Sequence, residues 1–252
     1  MRPVLYDLFG IPISAFGVFL LLGFFVAITT ARRRAQIALG LDPNQTLDLS
    51  LYAIIGGIIA GRAGFILINP REFLIEPLRM LTIWRDGGLV FYGALIGGLW
   101  VARAFAQRWK ISFGALADVY APGLIAGYGV AMIGVMLHGL LIGRPTGVPW
   151  AVEFALERRH PTQIYLLVAS LGILGILRAQ RGQALAPGVR FVLALFLLGI
   201  ARFVVDFFVD APAVLGPLTV GQLASAAAVL ITGFLLVRLT GQIPEPASAA
   251  EA

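Results

Sequence analysis

A few polar side chains interrupt long apolar runs, and any chemistry in this chain has to start from them. Arg62 lies within one run and His138 within another. Arg202 and Asp206 share a third, Tyr92 stands near the start of a fourth, and Arg144 follows the run that holds His138. Charge in such surroundings is costly, which makes each of these residues a functional candidate. The planar guanidinium of arginine takes phosphate oxygens two at a time. Arg202 and Asp206 are spaced i, i+4, on one helical face, and can pair. Together these residues could hold an anionic lipid headgroup. Each also has a purely structural alternative. Arg202 with Asp206 could be a fixed ion pair. Arg62 could satisfy backbone carbonyls or snorkel outward, and His138 could hydrogen-bond between helices. Tyr92 could belong to an interfacial aromatic belt, and Arg144 could bind surface phosphates. His160, just before Pro161, suits a cap or an anchor at the edge of a run. Two histidines far apart and no cysteine make a poor metal-ligand set, so no metal or other cofactor is expected.

The elements that position these groups follow from composition. The chain is 59% hydrophobic and only 13% charged, with a mean hydropathy of +0.91. That leaves too little polar surface for a water-facing exterior, where roughly a quarter of residues are usually charged. In lipid every backbone polar group must be paired internally, leaving helices or closed barrels. The runs are continuous and do not alternate, so helices are expected. Windows of about 20 apolar residues give seven spans, at 13–31, 48–68, 88–106, 117–142, 162–179, 187–208 and 217–238. The expected fold is therefore all-α, a polytopic transmembrane bundle over residues 1–240, followed by an Ala/Pro/Glu/Ser-rich disordered tail at 241–252. Gly56-Gly57 with Gly61, Gly97-Gly98, and Gly123, Gly127 and Gly129 would permit close helix packing. The net charge is +6, without the basic, aromatic-lined soluble face that nucleic acid would require.

Arg32-Arg33-Arg34, directly after the first run, places the N-terminus outside and the C-terminus in the cytoplasm. The first run is not a cleavable leader, because only Arg2 precedes it. With this topology Arg62, Tyr92, His138, Arg202 and Asp206 all fall in outer halves of their spans, level with Arg144. Two outer connections are long enough to hold structure. Pro70 to Asp86 reads as an amphipathic interfacial arm, with Phe73, Leu74, Leu78 and Trp84 among charges. Gly143 to His160 opens with turn chemistry, and its Trp150–Phe154 stretch suits a short strand or helix.

Six segments in order resemble motifs of the bacterial prolipoprotein diacylglyceryl transferases. They are Gly61-Arg-Ala-Gly-Phe65, the glycine-rich Gly87–Gly98 stretch around Tyr92, Asp118-Val-Tyr-Ala-Pro-Gly123, Gly143-Arg-Pro-Thr-Gly-Val-Pro-Trp150, His160-Pro-Thr-Gln-Ile-Tyr165 and Ala201-Arg-Phe-Val-Val-Asp-Phe-Phe208. The resemblance retains Arg62, Gly143, Arg144, His160, Gln163, Tyr165 and Arg202, with Asp206 in place of glutamate. Through it Gly143 and Gln163 join Arg62, Arg144, His160 and Asp206 as expected substrate-binding positions. The departures concentrate in the fourth span. Met132 stands at the signature arginine, Val135 and His138 at its two asparagines, and Leu140 at its glutamate. Phe16 replaces a tyrosine in the first span. Leu198 replaces one in the sixth, a turn before Arg202.

The resemblance implies an enzyme of the bacterial plasma membrane that moves diacylglyceryl from phosphatidylglycerol, or another anionic phospholipid, to the cysteine of a lipobox-containing prolipoprotein. A thiol with an ordinary pKa near ~8.5 must lose its proton, and a departing phosphate must be stabilised. Arg202 and Arg144 are the expected phosphate ligands. A phenol such as Tyr92 is by type a poor base, and the imidazole of His138 a better one. The departures leave open a second reading, a lipid-binding or accessory member without transfer. A transporter would show broken helices and repeated halves, which are not evident.

Overall fold

The computed structural model describes residues 4–8, 11–80, 90–154 and 156–241. The chain begins with a hairpin of β1 (Val4–Leu8) and β2 (Ile11–Ser14). There follow α1 (Ala15–Leu39), α2 (Pro43–Ile68), the short α3 (Pro70–Ile75), a 3-10 turn (Pro77–Met80), α4 (Phe91–Arg108) and α5 (Phe113–His138). A second hairpin pairs β3 (Val152–Phe154) with β4 (Glu157–Arg159). Next come α6 (Thr162–Ala179) and α7 (Val189–Val205), which continues as a 3-10 turn over Asp206–Phe208. The hairpin of β5 (Ala213–Leu215) and β6 (Leu218–Thr219) precedes α8 (Val220–Thr240).

Six described helices are long and apolar enough to cross a membrane: α1, α2, α5, α6, α7 with its 3-10 extension, and α8. The chain is an all-α, multi-pass membrane protein whose three antiparallel hairpins lie outside these helices. The expected span at 88–106 starts outside the described residues, and α4 covers the remainder of it. The expected arm is helical over Pro70–Ile75 and Pro77–Met80. Its later part, with Trp84, Arg85 and Asp86, lies outside the described residues, as does nearly all of the expected tail.

Three boundaries differ from the sequence-based expectation for local reasons. Residues 11–14 pair with β1 and do not begin the first span. Helix α1 continues through the arginine triple to Leu39. Helix α5 stops at His138 and does not reach 142, because Gly139 (φ 81°) and Leu141 (φ 57°) turn left-handed. Glycine adopts that conformation freely, and leucine only at a cost.

Contacts divide the chain into two compact units. The first, Arg32–Leu116, is organised by α2 and α4. A capping box of Asp42 and Gln45, with Pro43 in the first turn, starts α2. Its glycines then allow α4 to lie backbone to backbone. A Cβ at Gly93 would stand 2.6 Å from the Ala60 carbonyl oxygen, and one at Gly97 would collide with that of Gly56. Without a hydrophobic drive between helices in lipid, such close contact is a main source of packing energy.

The second unit joins residues 1–31 to 117–252. Gly127 meets the Gly23 carbonyl and Gly123 that of Ala27, which seats α5 on α1. Asp118 on α5 accepts from the amides of Gly188 and Phe191, both at 2.8 Å, and so caps the start of α7 from another helix. A second capping box, Thr219 with Gln222, starts α8. Apolar side chains of α5, α6 and α7 fill the interior around Ala121, Ile125, Ile173, Leu177 and Ala194.

Candidate functional site

The i, i+4 spacing on α7 brings Arg202 and Asp206 together. Arg202 Nη2 lies 2.9 Å from Asp206 Oδ1. The aspartate side chain is 2% exposed and the arginine side chain 28% exposed, so the carboxylate is the buried anchor and the guanidinium the accessible partner. Gly221, in the first turn of α8, backs the carboxylate so closely that a Cβ there would collide with Oδ2. A carboxylate at a helix N-terminus is favoured by the helix dipole. Met132, Val135, Leu166 and Val205 are buried together, with Phe16 and Tyr128 packed on them.

A second group forms where three loops meet. Gly143 bridges to Val209 and Pro145 to Arg159. The Arg144 amide donates to the Phe208 carbonyl at 2.7 Å, and the His160 amide to the Arg144 carbonyl at 3.1 Å. Residues 143–145 are thus a short extended segment between two others. Only glycine fits at 143, because a Cβ would run into the His160 carbonyl. Arg144 is exposed, and its Nε donates to the Val209 carbonyl at 3.1 Å. That bond fixes the root of the guanidinium, whose terminal nitrogens make no hydrogen bond among the described residues.

Arg159 holds the same corner from below. It donates to the Gly143 carbonyl at 3.1 Å, to Asp210 at 2.7 Å and to Glu157 at 2.6 Å. The hydrogen bond to Asp210 pushes the guanidinium pKa further up, so this clamp stays charged at all working pH. His160 Nδ1 lies 3.0 Å from the Tyr165 hydroxyl, which also accepts from Trp150 Nε1 at 2.8 Å. The Phe208 ring packs 4.9 Å from the imidazole.

Gln163 has a different task from the expected one. Its Nε2 donates to the Leu140 and Leu141 carbonyls at 2.6 and 3.1 Å, and the Thr162 hydroxyl joins on Leu141. These bonds hold the turn that follows α5 to the start of α6. The side-chain amide nitrogen is therefore committed to backbone.

His138 is the last residue of α5. Its ring sits 6.2 Å from that of Phe16, and its Nδ1 is buried without a hydrogen-bond partner among the described residues. Among the described residues no hydrogen bond or ion pair joins His138 to Arg202, so these two expected catalytic groups are not in contact.

In the other compact unit Arg62 is buried, 4% exposed. It donates from Nε to the Met80 carbonyl at 3.2 Å and from Nη2 to that of Arg79. Its guanidinium carbon lies 5.6 and 5.3 Å from the Phe65 and Phe73 ring centroids. It ties the arm's 3-10 turn to α2. Tyr92 stands in the first turn of α4, and its side chain lies outside the described residues.

Sequence reasoning named Asp118 within a motif but gave it no role, and passed over Gly221; the partners of both lie on other helices, which spacing along one run does not report.

A sequence model of the family described as prolipoprotein diacylglyceryl transferase matches residues 3–238. A Geobacter sulfurreducens protein named phosphatidylglycerol–prolipoprotein diacylglyceryl transferase is 34% identical over 233 residues, covering 88% of this chain and 89% of its own length. A relative of the same name from Aeromonas salmonicida is 35% identical over 245 residues, covering 93% and 88%.

Proposed function

Since the chain belongs to the prolipoprotein diacylglyceryl transferase family, we propose that it moves diacylglyceryl from phosphatidylglycerol to the lipobox cysteine of a prolipoprotein at the outer face of a bacterial plasma membrane. In this reaction the cysteine sulfur forms a thioether with the terminal glyceryl carbon. The bond from that carbon to the phosphate oxygen breaks, glycerol phosphate leaves, and the thiol proton passes to a base. The observation that carries the reading is Arg202. Its guanidinium is fixed by a buried carboxylate at 2.9 Å yet remains partly accessible. A phosphate there meets a cation whose position is already set, so little reorganisation is needed as charge develops.

Arg144, rooted on the Val209 carbonyl, is the second phosphate ligand in this reading. Gly143 and His160 fix its backbone, and Gln163 supports the same corner from α6. His138, whose Nδ1 is buried and without a partner among the described residues, is the proposed base for a thiol approaching from the outer end of α5, and Tyr92 is the alternative group on α4. Arg62 acts through the arm it holds. The arginine triple Arg32–Arg34 supports an outside N-terminus and a cytoplasmic C-terminus. Neither a cofactor nor nucleic acid has a part in this reading.

A second reading has its own observation. Met132 and Val135, at two positions where the family signature is polar, are buried in an apolar cluster. A member lacking transfer would bind the phospholipid and release no glycerol phosphate. One assay separates the two: incubation of the purified protein with phosphatidylglycerol labelled in its diacylglyceryl group and a lipobox peptide. Label in the peptide, abolished by Arg202→Ala and reduced by His138→Ala, supports the transferase. Retained lipid binding with no label in the peptide supports the second reading.

A further inference from the structure

We propose that Trp150 and Tyr165 are positioning residues for His160: a relay of two hydrogen bonds holds its ring in one tautomer, so that Nε2–H stands beside Arg144 as a second donor for a phosphate group. This rests on the phosphate-holding reading of Arg144. It goes beyond that reading by assigning the imidazole, where only the His160 backbone is needed to hold the corner.

The strand pairing sets the neighbours. Pro145 pairs antiparallel with Arg159, and Gly143 with Val209. In register, Arg144 therefore lies opposite His160 on one side and Phe208 on the other, joined by the amide–carbonyl bonds of 3.1 and 2.7 Å. Residues directly opposite in an antiparallel pair project from the same face. The imidazole thus leaves the face that carries the Arg144 side chain, and the Phe208 ring packs 4.9 Å from it.

The hydrogen bonds fix the tautomer. An indole N–H can only donate, and Trp150 Nε1 donates to the Tyr165 hydroxyl at 2.8 Å. The hydroxyl still has its own proton to place. His160 Nδ1, at 3.0 Å, takes it, since the hydroxyl has no other partner among the described residues. The indole's donation polarises the phenol and strengthens the bond it gives. A neutral imidazole that accepts at Nδ1 carries its proton on Nε2. That Nε2 makes no hydrogen bond among the described residues, and His160 is partly open to solvent. A neutral donor next to a guanidinium adds a bond to a phosphate oxygen without adding like-charge repulsion.

The chain contains two histidines, so isotopic labelling of histidine nitrogens gives a simple magnetic-resonance spectrum, and His138→Gln assigns it. Spectra of the full protein are recorded in alkaline buffer, where imidazole is neutral. The protein is held in phosphatidylcholine nanodiscs, in phosphatidylglycerol nanodiscs, or in phosphatidylcholine nanodiscs with added glycerol phosphate. His160 is expected to be protonated at Nε2 alone. Movement of that signal in phosphatidylglycerol supports an intact headgroup at the site. Movement with glycerol phosphate alone supports a site for the departing product. Movement with neither, or a proton on Nδ1, overturns the proposal. Tyr165→Phe keeps the ring that meets Phe208. It is expected to shift Nδ1 to the position of an unbonded acceptor and to lower the preference for phosphatidylglycerol over phosphatidylcholine, on the order of several-fold and at most about tenfold, the scale of one hydrogen bond to a charged group. Trp150→Phe should move both readings the same way by less, with melting little changed. Arg144→Ala is measured alongside. Preference lost there but kept in Tyr165→Phe overturns this proposal alone. Preference kept in both overturns the phosphate reading of the corner as well.

Discussion

Arg202 and Asp206 are joined at 2.9 Å across one turn of α7, with the acid buried and the base partly open. That asymmetry sets the consequence of breaking the pair. Removing the carboxylate leaves the arginine without its partner, and because that side chain is 28% exposed the cost stays below that of a fully buried pair, about 3–5 kcal/mol. Asp206→Ala is expected to lower the melting temperature and abolish transfer together. Asp206→Asn keeps the shape and removes the charge. It should fold better than the alanine variant while transferring at least tenfold more slowly than wild type. Thermal melts and initial rates on the same preparations check both.

Gly221 makes the same relationship testable from α8. A methyl group there would collide with the Asp206 carboxylate. Gly221→Ala is expected to cost about 1–3 kcal/mol, as overpacking usually does, and to reduce transfer by displacing the ion pair. Gly172, where an added methyl would meet nothing within 4 Å, supplies the control. Gly172→Ala should melt at or slightly above the wild-type temperature, since alanine favours helix.

Gln163 separates a structural role from a substrate-binding one. Its amide nitrogen bridges the Leu140 and Leu141 carbonyls. Losing these part-buried hydrogen bonds costs about 0.5–1.5 kcal/mol. Gln163→Ala is expected to lower stability by that amount while the KM for phosphatidylglycerol stays within about twofold, the margin expected when no ligand contact is lost. A large rise in KM with unchanged melting would instead assign Gln163 to the substrate.

The membrane-spanning scaffold was legible because lipid imposes a strong rule: long apolar runs must be helices. The ends of those runs were less legible. Residues 139–142 are apolar enough to continue α5, and only the left-handed turns at Gly139 and Leu141 stop it. The hairpins were only partly legible, the Trp150–Phe154 stretch being read as a short strand or helix and the first and third not at all, since two to five residues carry little periodicity. Within the site, Arg202 with Asp206 could be read from i, i+4 spacing, and Arg144 from its place after a span. Arg62 could be flagged as buried charge. Its attachment to the carbonyls of Arg79 and Met80 depends on a turn 17 and 18 residues away, which no local pattern reports. The closeness of Gly221 to the Asp206 carboxylate is likewise set by helix packing, invisible to spacing along one run.

Arg144 allows the sharpest test of phosphate binding at the outer corner. Its Nε holds the Val209 carbonyl at 3.1 Å on an exposed side chain whose terminal nitrogens stay available. Lysine has one nitrogen and cannot do both. If the ammonium reaches the headgroup it gives up the Val209 carbonyl, and if it keeps that carbonyl it is no longer available to the headgroup. The backbone bonds from Arg144 to Phe208 and from His160 to Arg144 do not involve the side chain, so the loop should persist. Arg144→Lys is therefore expected to raise the KM for phosphatidylglycerol on the order of tenfold, the scale of one charge-assisted hydrogen bond, with kcat changed less and melting nearly constant. Because the group is exposed, its attraction for the headgroup should also weaken as salt shortens the screening length. In the wild type KM should rise between about 0.05 and 0.5 M salt (on the order of several-fold). If Arg144→Ala shows the same salt dependence as wild type, the headgroup is held elsewhere.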